Sequence, residues 1–250
     1  MDWSKAKTIL ILAFLALNLF LAGQLLEAQK EQSEDRNSTE STKRELNQLA
    51  QDKGITILPV DRPTNAPQVA YLEATPTDTA TKWTAEPDGS SSKTWNPPTI
   101  PVEDWKKQVE NWRDYRYHAD DSNPVQRVYY QYWRDRPLFD ASLTVQVEEG
   151  LISAIRFTHF AIEQNNAAQP GVTADTALLS LIESGKLSKG ETITAVELGY
   201  HGSSYEATVR VLSPVWRIQT DKKVYYVNAI TGVSEVATAE TTEGHDKQRE

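Results

Sequence analysis

Met1-Asp2-Trp3-Ser4-Lys5-Ala6-Lys7, running into the apolar stretch Thr8 to Leu26 (TILILAFLALNLFLAGQLL), decides how this chain is laid out. At about 1.5 Å of rise per residue, a helix over that stretch covers roughly the hydrocarbon core of a bilayer. The sequence then turns polar at once, with Glu27, Lys30, Glu31, Glu34 and Asp35. One membrane anchor carrying one water-soluble body is therefore expected. Lys5 and Lys7 flank the anchor on its N-terminal side, and basic residues mark the cytoplasmic flank. The N-terminus is placed inside and the body outside the cell membrane.

A cleaved signal peptide needs small residues at the last and third-last positions before the cut. Here Phe20 stands two before Ala22, and Leu26 two before Ala28. The apolar run also exceeds the usual h-region of about 7–15 residues. Leu21-Ala22-Gly23 begins like a lipoprotein signal but leads into Gln24, with no cysteine to acylate. An uncleaved anchor is expected.

Cysteine is absent from the whole sequence, so the outer body must be held by its core alone, without disulfides, thiol nucleophiles or cysteine metal sites. A net charge of −9 offers no basic field for nucleic acid. Asn37-Ser38-Thr39 matches a glycosylation acceptor, but the surrounding segment is so rich in these residues that chance accounts for it.

Beyond the membrane, residues 27 to about 41 are charged and suit a solvated stalk. Thr42 and Glu45 form a capping box, Leu46 and Leu49 a thin apolar stripe, and Gly54 a helix stop. Strands are predicted at Ile55–Val60 and Val69–Glu73. A long loop follows at 74–98, its Trp83 and Trp95 packed on the body. Between Thr99 and Tyr117, Val102, Trp105, Val109 and Trp112 recur at helical spacing after Pro101. An antiparallel meander is predicted over Val125–Trp133, Leu138–Val147 and Leu151–Ile162, joined by turns at 134–137 and 148–150. The cycle then repeats. Thr173 caps a helix containing Leu178, Leu179, Leu181 and Ile182, with Gly185 at its exit. Strands follow at about 191–200, 204–213, 214–220 and 223–229. Tyr205, Ala207, Val209 and Val211 form the apolar face of the second, and the tail after Ser234 is expected to fray.

The fold class is thus α+β: a single N-terminal transmembrane helix, then an extracytoplasmic body of two helix-plus-antiparallel-sheet subdomains. The expected boundaries are 1–7 for the cytoplasmic N-terminus, 8–26 for the transmembrane helix, and 27–53 for the juxtamembrane linker and helix. The subdomains occupy 54–166 and 167–236, with a flexible tail at 237–250.

The sequence carries no catalytic signature. His118, His159, His201 and His245 are scattered without metal-pair spacing, and there is no glycine-rich phosphate loop. No cofactor is implied. His201-Gly202-Ser203-Ser204 lacks the strand–elbow–helix context of a serine nucleophile and reads as a turn. Glu148-Glu149 and Asp120-Asp121 could serve a wall hydrolase only if held apart across a cleft; in turns they face solvent. Tyr129, Tyr130, Tyr132 and Trp133 form an aromatic run, with Tyr130 and Tyr132 on one strand face and the other two on the opposite face. Where such a run is exposed it can stack on sugars or anchor a protein partner.

Inside the apolar run stands Asn18, sharing a helix face with Ile11, Phe14, Leu15, Ala22 and Leu25. A side-chain amide in hydrocarbon gains from pairing with a neighbouring helix, or else bonds its own backbone or a lipid carbonyl. Both readings stand at this level.

The opening Met1-Asp2-Trp3-Ser4-Lys5-Ala6-Lys7-Thr8 with Leu17-Asn18-Leu19-Phe20-Leu21 resembles the start of the YycI (WalI) family. So do Pro214-Val215-Trp216-Arg217-Ile218 and Tyr225-Tyr226-Val227-Asn228-Ala229-Ile230-Thr231-Gly232 near the C-terminus. The resemblance implies a non-enzymatic, single-pass regulator of a two-component system governing cell-wall metabolism in Gram-positive bacteria. Its implied partners are the sensor histidine kinase YycG (WalK), a sister regulator YycH, and the bilayer itself. It also implies that the transmembrane segment, here 8–26, carries much of the kinase contact. The alternative from the residues alone is an extracytoplasmic module that binds wall glycan or teichoic acid through the aromatic run.

Overall fold

The computed structural model describes residues 14, 17, 18 and 21, all helical, and residues 40–60, 62–77, 83–202 and 209–236. Lys5, Lys7, Ile11, Leu15, Ala22, Leu25, His245 and the tail 237–250 lie outside them, as does most of the expected membrane span. Among the described residues no helix is long and apolar enough to cross a membrane.

Helix α1 covers residues 40–53. It is already under way at residue 40, so Thr42 lies within the helix and does not cap its start. Leu46 and Ala50, one turn apart, are buried. Gly54 ends the helix in the left-handed region, at φ +67, while the Ile55 N–H donates to the Ala50 carbonyl at 2.8 Å.

Short strands β1 (Thr56–Ile57), β2 (Gln68–Val69) and β3 (Leu72–Pro76) come next. The stretch expected as an open loop holds a small hairpin, β4 (Thr84–Ala85) with β5 (Ser91–Thr94). As expected, Trp83 and Trp95 pack on the body, and the Trp83 ring meets Phe157 edge-on at 4.9 Å.

After β6 (Ile100–Pro101), the predicted helix of 99–117 is replaced by two 3₁₀ turns, Val102–Lys107 and Trp112–Asp114. Both ends of this segment are clamped to strands: Pro101 pairs Leu151, and Tyr115 pairs Gln131. A 3₁₀ turn rises about 2 Å per residue against 1.5 Å for an α-helix, so it spans more distance with the same residues. Val102, Trp105 and Val109 still point inward.

The meander consists of β7 (Tyr115–Tyr117), β8 (Gln126–Trp133), β9 (Arg136–Glu148), β10 (Leu151–Phe157) and β11 (Phe160–Gln164). Leu143, Val145 and Val147 alternate into the core as the sequence pattern requires. The β9–β10 turn has positive φ at both Glu149 and Gly150, the primed geometry that suits a two-residue hairpin. After β12 (Gln169–Pro170), helix α2 (Ala174–Glu183) is capped by Thr173, whose Oγ1 accepts from the Thr176 N–H at 3.2 Å.

The remaining strands are β13 (Thr192–His201), β14 (Arg210–Thr220), β15 (Val224–Asn228) and β16 (Ser234–Val236). Two expectations change here. β14 runs unbroken through Pro214, and its N-terminal half buries Leu212 while exposing Val211; Val209, just before the strand, is exposed too, and Tyr205 and Ala207 lie outside the described residues. Pairing of Leu212 with Leu72 on β3 sets that register, and strand geometry then turns the neighbouring valines outward. Residues 234–236 pair with β15 instead of fraying.

Among the described residues, one hydrogen-bonded sheet of 14 strands runs β11-β3-β14-β13-β9-β10-β5-β4 along its main path, and β2 pairs with β12 apart from it. It is antiparallel except where β13 meets β1 and β9. The body is mixed α+β with few helices. Its largest core lies between the helices and one face of β13–β15, joining Leu46, Leu178, Leu181, Trp216, Ile218, Tyr225 and Val227. A second, beneath the 3₁₀ turns, joins Trp105, Val109, Tyr129, Leu143, Ile152 and Phe157.

Candidate functional site

Strands β13–β15 have two faces of opposite character. Val196, Trp216, Ile218, Tyr225 and Val227 face the helices, so the alternate residues Glu197, Arg217 and Tyr226 share the other face. The pairing sets these three in one row across the sheet, Glu197 opposite Arg217 and Arg217 opposite Tyr226. β8 and β9 contribute Tyr130, Tyr132 and Phe139. Gly199 makes room for Phe139: a Cβ there would lie 2.5 Å from the Phe139 ring.

The loop after β7 closes over this row. Ser122 Oγ donates to the His118 carbonyl at 2.6 Å and accepts from the Val128 N–H at 2.9 Å, which holds the loop in shape. Arg217, only 5% exposed, donates from Nη2 to both oxygens of Asp121, at 2.7 and 2.9 Å. Its Nη1 donates to Gln219 Oε1 at 3.1 Å. Tyr130 OH donates to Asp121 Oδ2 at 2.8 Å. His118 bridges the cluster's two carboxylates: Nε2 lies 3.0 Å from Glu197 Oε2, and Nδ1 lies 3.2 Å from Asp121 Oδ2. The second contact is one of charge, since Nδ1 is not aligned for a hydrogen bond.

Burial alone would lower the His118 pKa. The close contacts with the Asp121 and Glu197 carboxylates and their negative charges outweigh it and hold the imidazole at about 9. Burial would likewise raise Asp121, but His118, Arg217 and Tyr130 together hold its carboxyl well below the ordinary range. Burial, with Asp121 beside it, pushes the Tyr130 phenol up. The same loop and strands therefore enclose two cations, Arg217 and His118, between two carboxylates.

The sign of the pH dependence follows. A raised histidine stabilises the fold fully below its unfolded value of 6.5 and loses that contribution as pH rises through about 9. A lowered Asp121 stabilises above its unfolded value of 3.8 and loses that contribution on acidification. The cluster is thus most stabilising between roughly pH 4 and 6.5. We expect stability from urea titrations to fall by about 1–3 kcal/mol between pH 6.5 and 9, and His118→Gln to flatten that arm. An alkaline arm unchanged in His118→Gln would assign the dependence to another group.

Next to the cluster, Asp140 accepts from the Gly202 N–H at 2.7 Å and meets His201 Nδ1 at 2.7 Å. The His201 ring stacks on Tyr226 with centroids 4.1 Å apart. Elsewhere His159 joins Asp114, at 2.9 Å through Nε2, to Thr77 Oγ1, at 2.8 Å through Nδ1, tying the second 3₁₀ turn to the end of β3. Among the described residues no three histidine or carboxylate side chains converge as metal ligands.

The structure distributes the aromatic run. Tyr129 is buried against Trp105, 4.5 Å between centroids, and belongs to the core. Tyr130 and Tyr132 face the charged cluster, and the Tyr132 ring is covered by the Arg116 guanidinium at 4.4 Å. Half-buried Trp133 is covered by Arg134 at 4.2 Å. Glu148 and Glu149 are exposed at the β9–β10 turn, while Asp121 points inward and its neighbour Asp120 outward. In the apolar N-terminal run, Asn18 donates from Nδ2 to the Phe14 carbonyl at 2.9 Å.

Sequence reading missed His118, Asp121, Glu197 and Arg217 as one group. A signal was present: Glu197 and Arg217 interrupt the apolar stretches Val196–Leu198 and Trp216–Ile218. A charge at such a position is placed on the second face of a half-buried strand.

In sequence, the family model described as YycI protein matches residues 23–230. No curated protein matches the chain. The crystal structure of an uncharacterized protein from Eubacterium rectale aligns at TM-score 0.36 and 10% identity, over 60% of this chain and 50% of that one. The chain thus spans half of that protein's length. The Bacillus megaterium YpeB C-terminal domain aligns at TM-score 0.34 and 10% identity, over 66% of this chain and 86% of that domain. Neither score defines a shared fold.

Proposed function

The chain belongs to the YycI protein family, which implies a role in YycFG two-component regulation, and from that premise we propose a non-enzymatic, single-pass regulatory subunit. The N-terminus is cytoplasmic, residues 8–26 cross the membrane, and the α+β body lies outside. The helix packs beside those of a YycG-like sensor histidine kinase, and the body engages a YycH-like sister protein. The family match over 23–230 is the observation that carries this reading.

Regulation in such a complex is a coupling free energy. Contacts that differ between two kinase states shift their populations, and contacts equal in both shift nothing. Asn18 supports the membrane half of the proposal. Its bond to the Phe14 carbonyl uses one amide hydrogen, and a primary amide has a second donor and a carbonyl acceptor for a neighbouring helix. A pairing of this kind is worth about 0.5–2 kcal/mol.

Asn18→Leu is therefore expected to lower recovery of the kinase with the full chain from detergent-solubilised membranes by about two- to thirtyfold. Equal recovery would place the amide's whole role within its own helix and remove Asn18 from the contact face formed with Ile11, Phe14, Leu15, Ala22 and Leu25.

A further inference from the structure

We propose that the cleft beside the β8–β9 turn is a binding site for a small oxyanion, a carboxylate or phosphate, carried on a sugar-sized polar molecule. The cleft has a volume of about 240 Å³, and Gln68, Trp133, Arg134, Arg136, Gln164 and Tyr200 line it. β2 and the residues after it supply one wall, the β8–β9 turn another, and the ends of β11 and β13 with the segment before β12 the rest.

The arginines are oriented before any ligand arrives. Arg136 donates from Nη2 to the Gln68 carbonyl at 2.8 Å and from Nη1 to Tyr200 OH at 3.4 Å. The Arg134 guanidinium lies over the Trp133 indole, 4.2 Å from its centroid, and donates from Nη2 to Gln164 Oε1 at 3.4 Å. Trp133 is itself braced edge-on against Tyr200 at 5.9 Å. A guanidinium has five N–H donors in a planar fork, so these bonds leave part of each fork for an acceptor. A stacked, immobilised fork also loses less entropy when it closes on an oxyanion than a free side chain does.

The charge balance of the cleft is positive in a chain whose net charge is −9. Asp135 also lines the cleft, but its carboxylate is almost fully exposed and lies 3.5 Å from Arg116, so the two cleft arginines outweigh it. The backbone gives a second indication. Arg134 sits at φ 55, a conformation glycine or asparagine adopts more cheaply in a tight turn. The turn nonetheless carries an arginine, and its side chain is directed onto Trp133 at the cleft.

Calorimetric titration of the full chain in detergent micelles tests the site, with glucose 1-phosphate, glucuronate, inorganic phosphate and glucose as probes. The charged sugars should bind and glucose should not, with affinity falling as salt is added. Inorganic phosphate binding as well as glucose 1-phosphate supports an oxyanion site that ignores the carrier; weaker binding shows that the carrier is also recognised. Arg134→Gln alters an exposed side chain and is expected to weaken the charged probes about tenfold, and Arg136→Lys, which keeps charge but loses the fork, by a similar factor. No heat from any anion at millimolar concentration overturns the proposal, as do affinities unchanged in both variants or glucose binding as tightly as its phosphate.

Discussion

Arg217→Met is expected to destabilise the outer body by about 3–5 kcal/mol, the usual cost of leaving a buried charge without its partner. Asp121 would keep the Tyr130 hydroxyl and the His118 charge but lose both bonds from Arg217 Nη2. Its carboxyl could escape only by taking up a proton, so acid sensitivity should move toward neutral pH in the variant. The double variant Arg217→Met with Asp121→Leu removes both charges and should recover most of the loss, because a buried pair is worth far less than the penalty for breaking it. Urea unfolding followed by tryptophan fluorescence measures all three. Equal stability of Arg217→Met and the parent chain would mean that water reaches the guanidinium and that the loop 118–122 does not seal the cluster.

Trp216→Ala, one residue earlier on the same strand, should cost a comparable 3–5 kcal/mol by a different mechanism. Trp216 is 1% exposed and packs in the core that α1 and α2 form with the sheet. Its indole N–H donates to the Val172 carbonyl at 3.0 Å, just before the cap of α2. Truncation opens a cavity and strands that carbonyl together. Trp216→Phe fills most of the space and should recover more than half of the loss. If Trp216→Phe were as damaging as Trp216→Ala, the hydrogen bond to Val172, not the packing, would dominate.

Local pattern was most legible where neighbours in sequence are also neighbours in space. The cap at Thr173, the exits at Gly54 and Gly185, the tight turn at Glu149-Gly150 and the alternation of Leu143, Val145 and Val147 each depend on a few adjacent residues. All could be read from the chain and all are present in the fold. Pattern misled where distant pairing set the conformation. Val102, Trp105, Val109 and Trp112 have helical spacing, yet pairing at Pro101 and Tyr115 stretches the segment into 3₁₀ turns. Val209 and Val211 alternate like a buried face, yet pairing of Leu212 with Leu72 turns them outward.

The candidate site was less legible for the same reason. Asp121 and Arg217 are 96 positions apart, His118 and Glu197 79. Only the closing of β8, β9, β13 and β14 into one sheet brings them within bonding distance. In the sequence Asp121 was one of two adjacent turn carboxylates and Arg217 one cation in an apolar stretch.

By itself the sequence determined the partition of the chain into an apolar N-terminal run and a polar body, the α+β character of that body, and the family to which it belongs. The first two follow from composition and short-range periodicity, because water and a bilayer sort segments by polarity; the third rests on the match of residues 23–230 to the family. The tertiary structure alone decided which strands share a sheet, and hence which face of β14 meets the helices and which carries Arg217. It also decided that the arginines at 134 and 136 share a cleft with Trp133 and Tyr200. Such choices depend on contacts between residues far apart in the chain, and their energies exist only once the chain has closed.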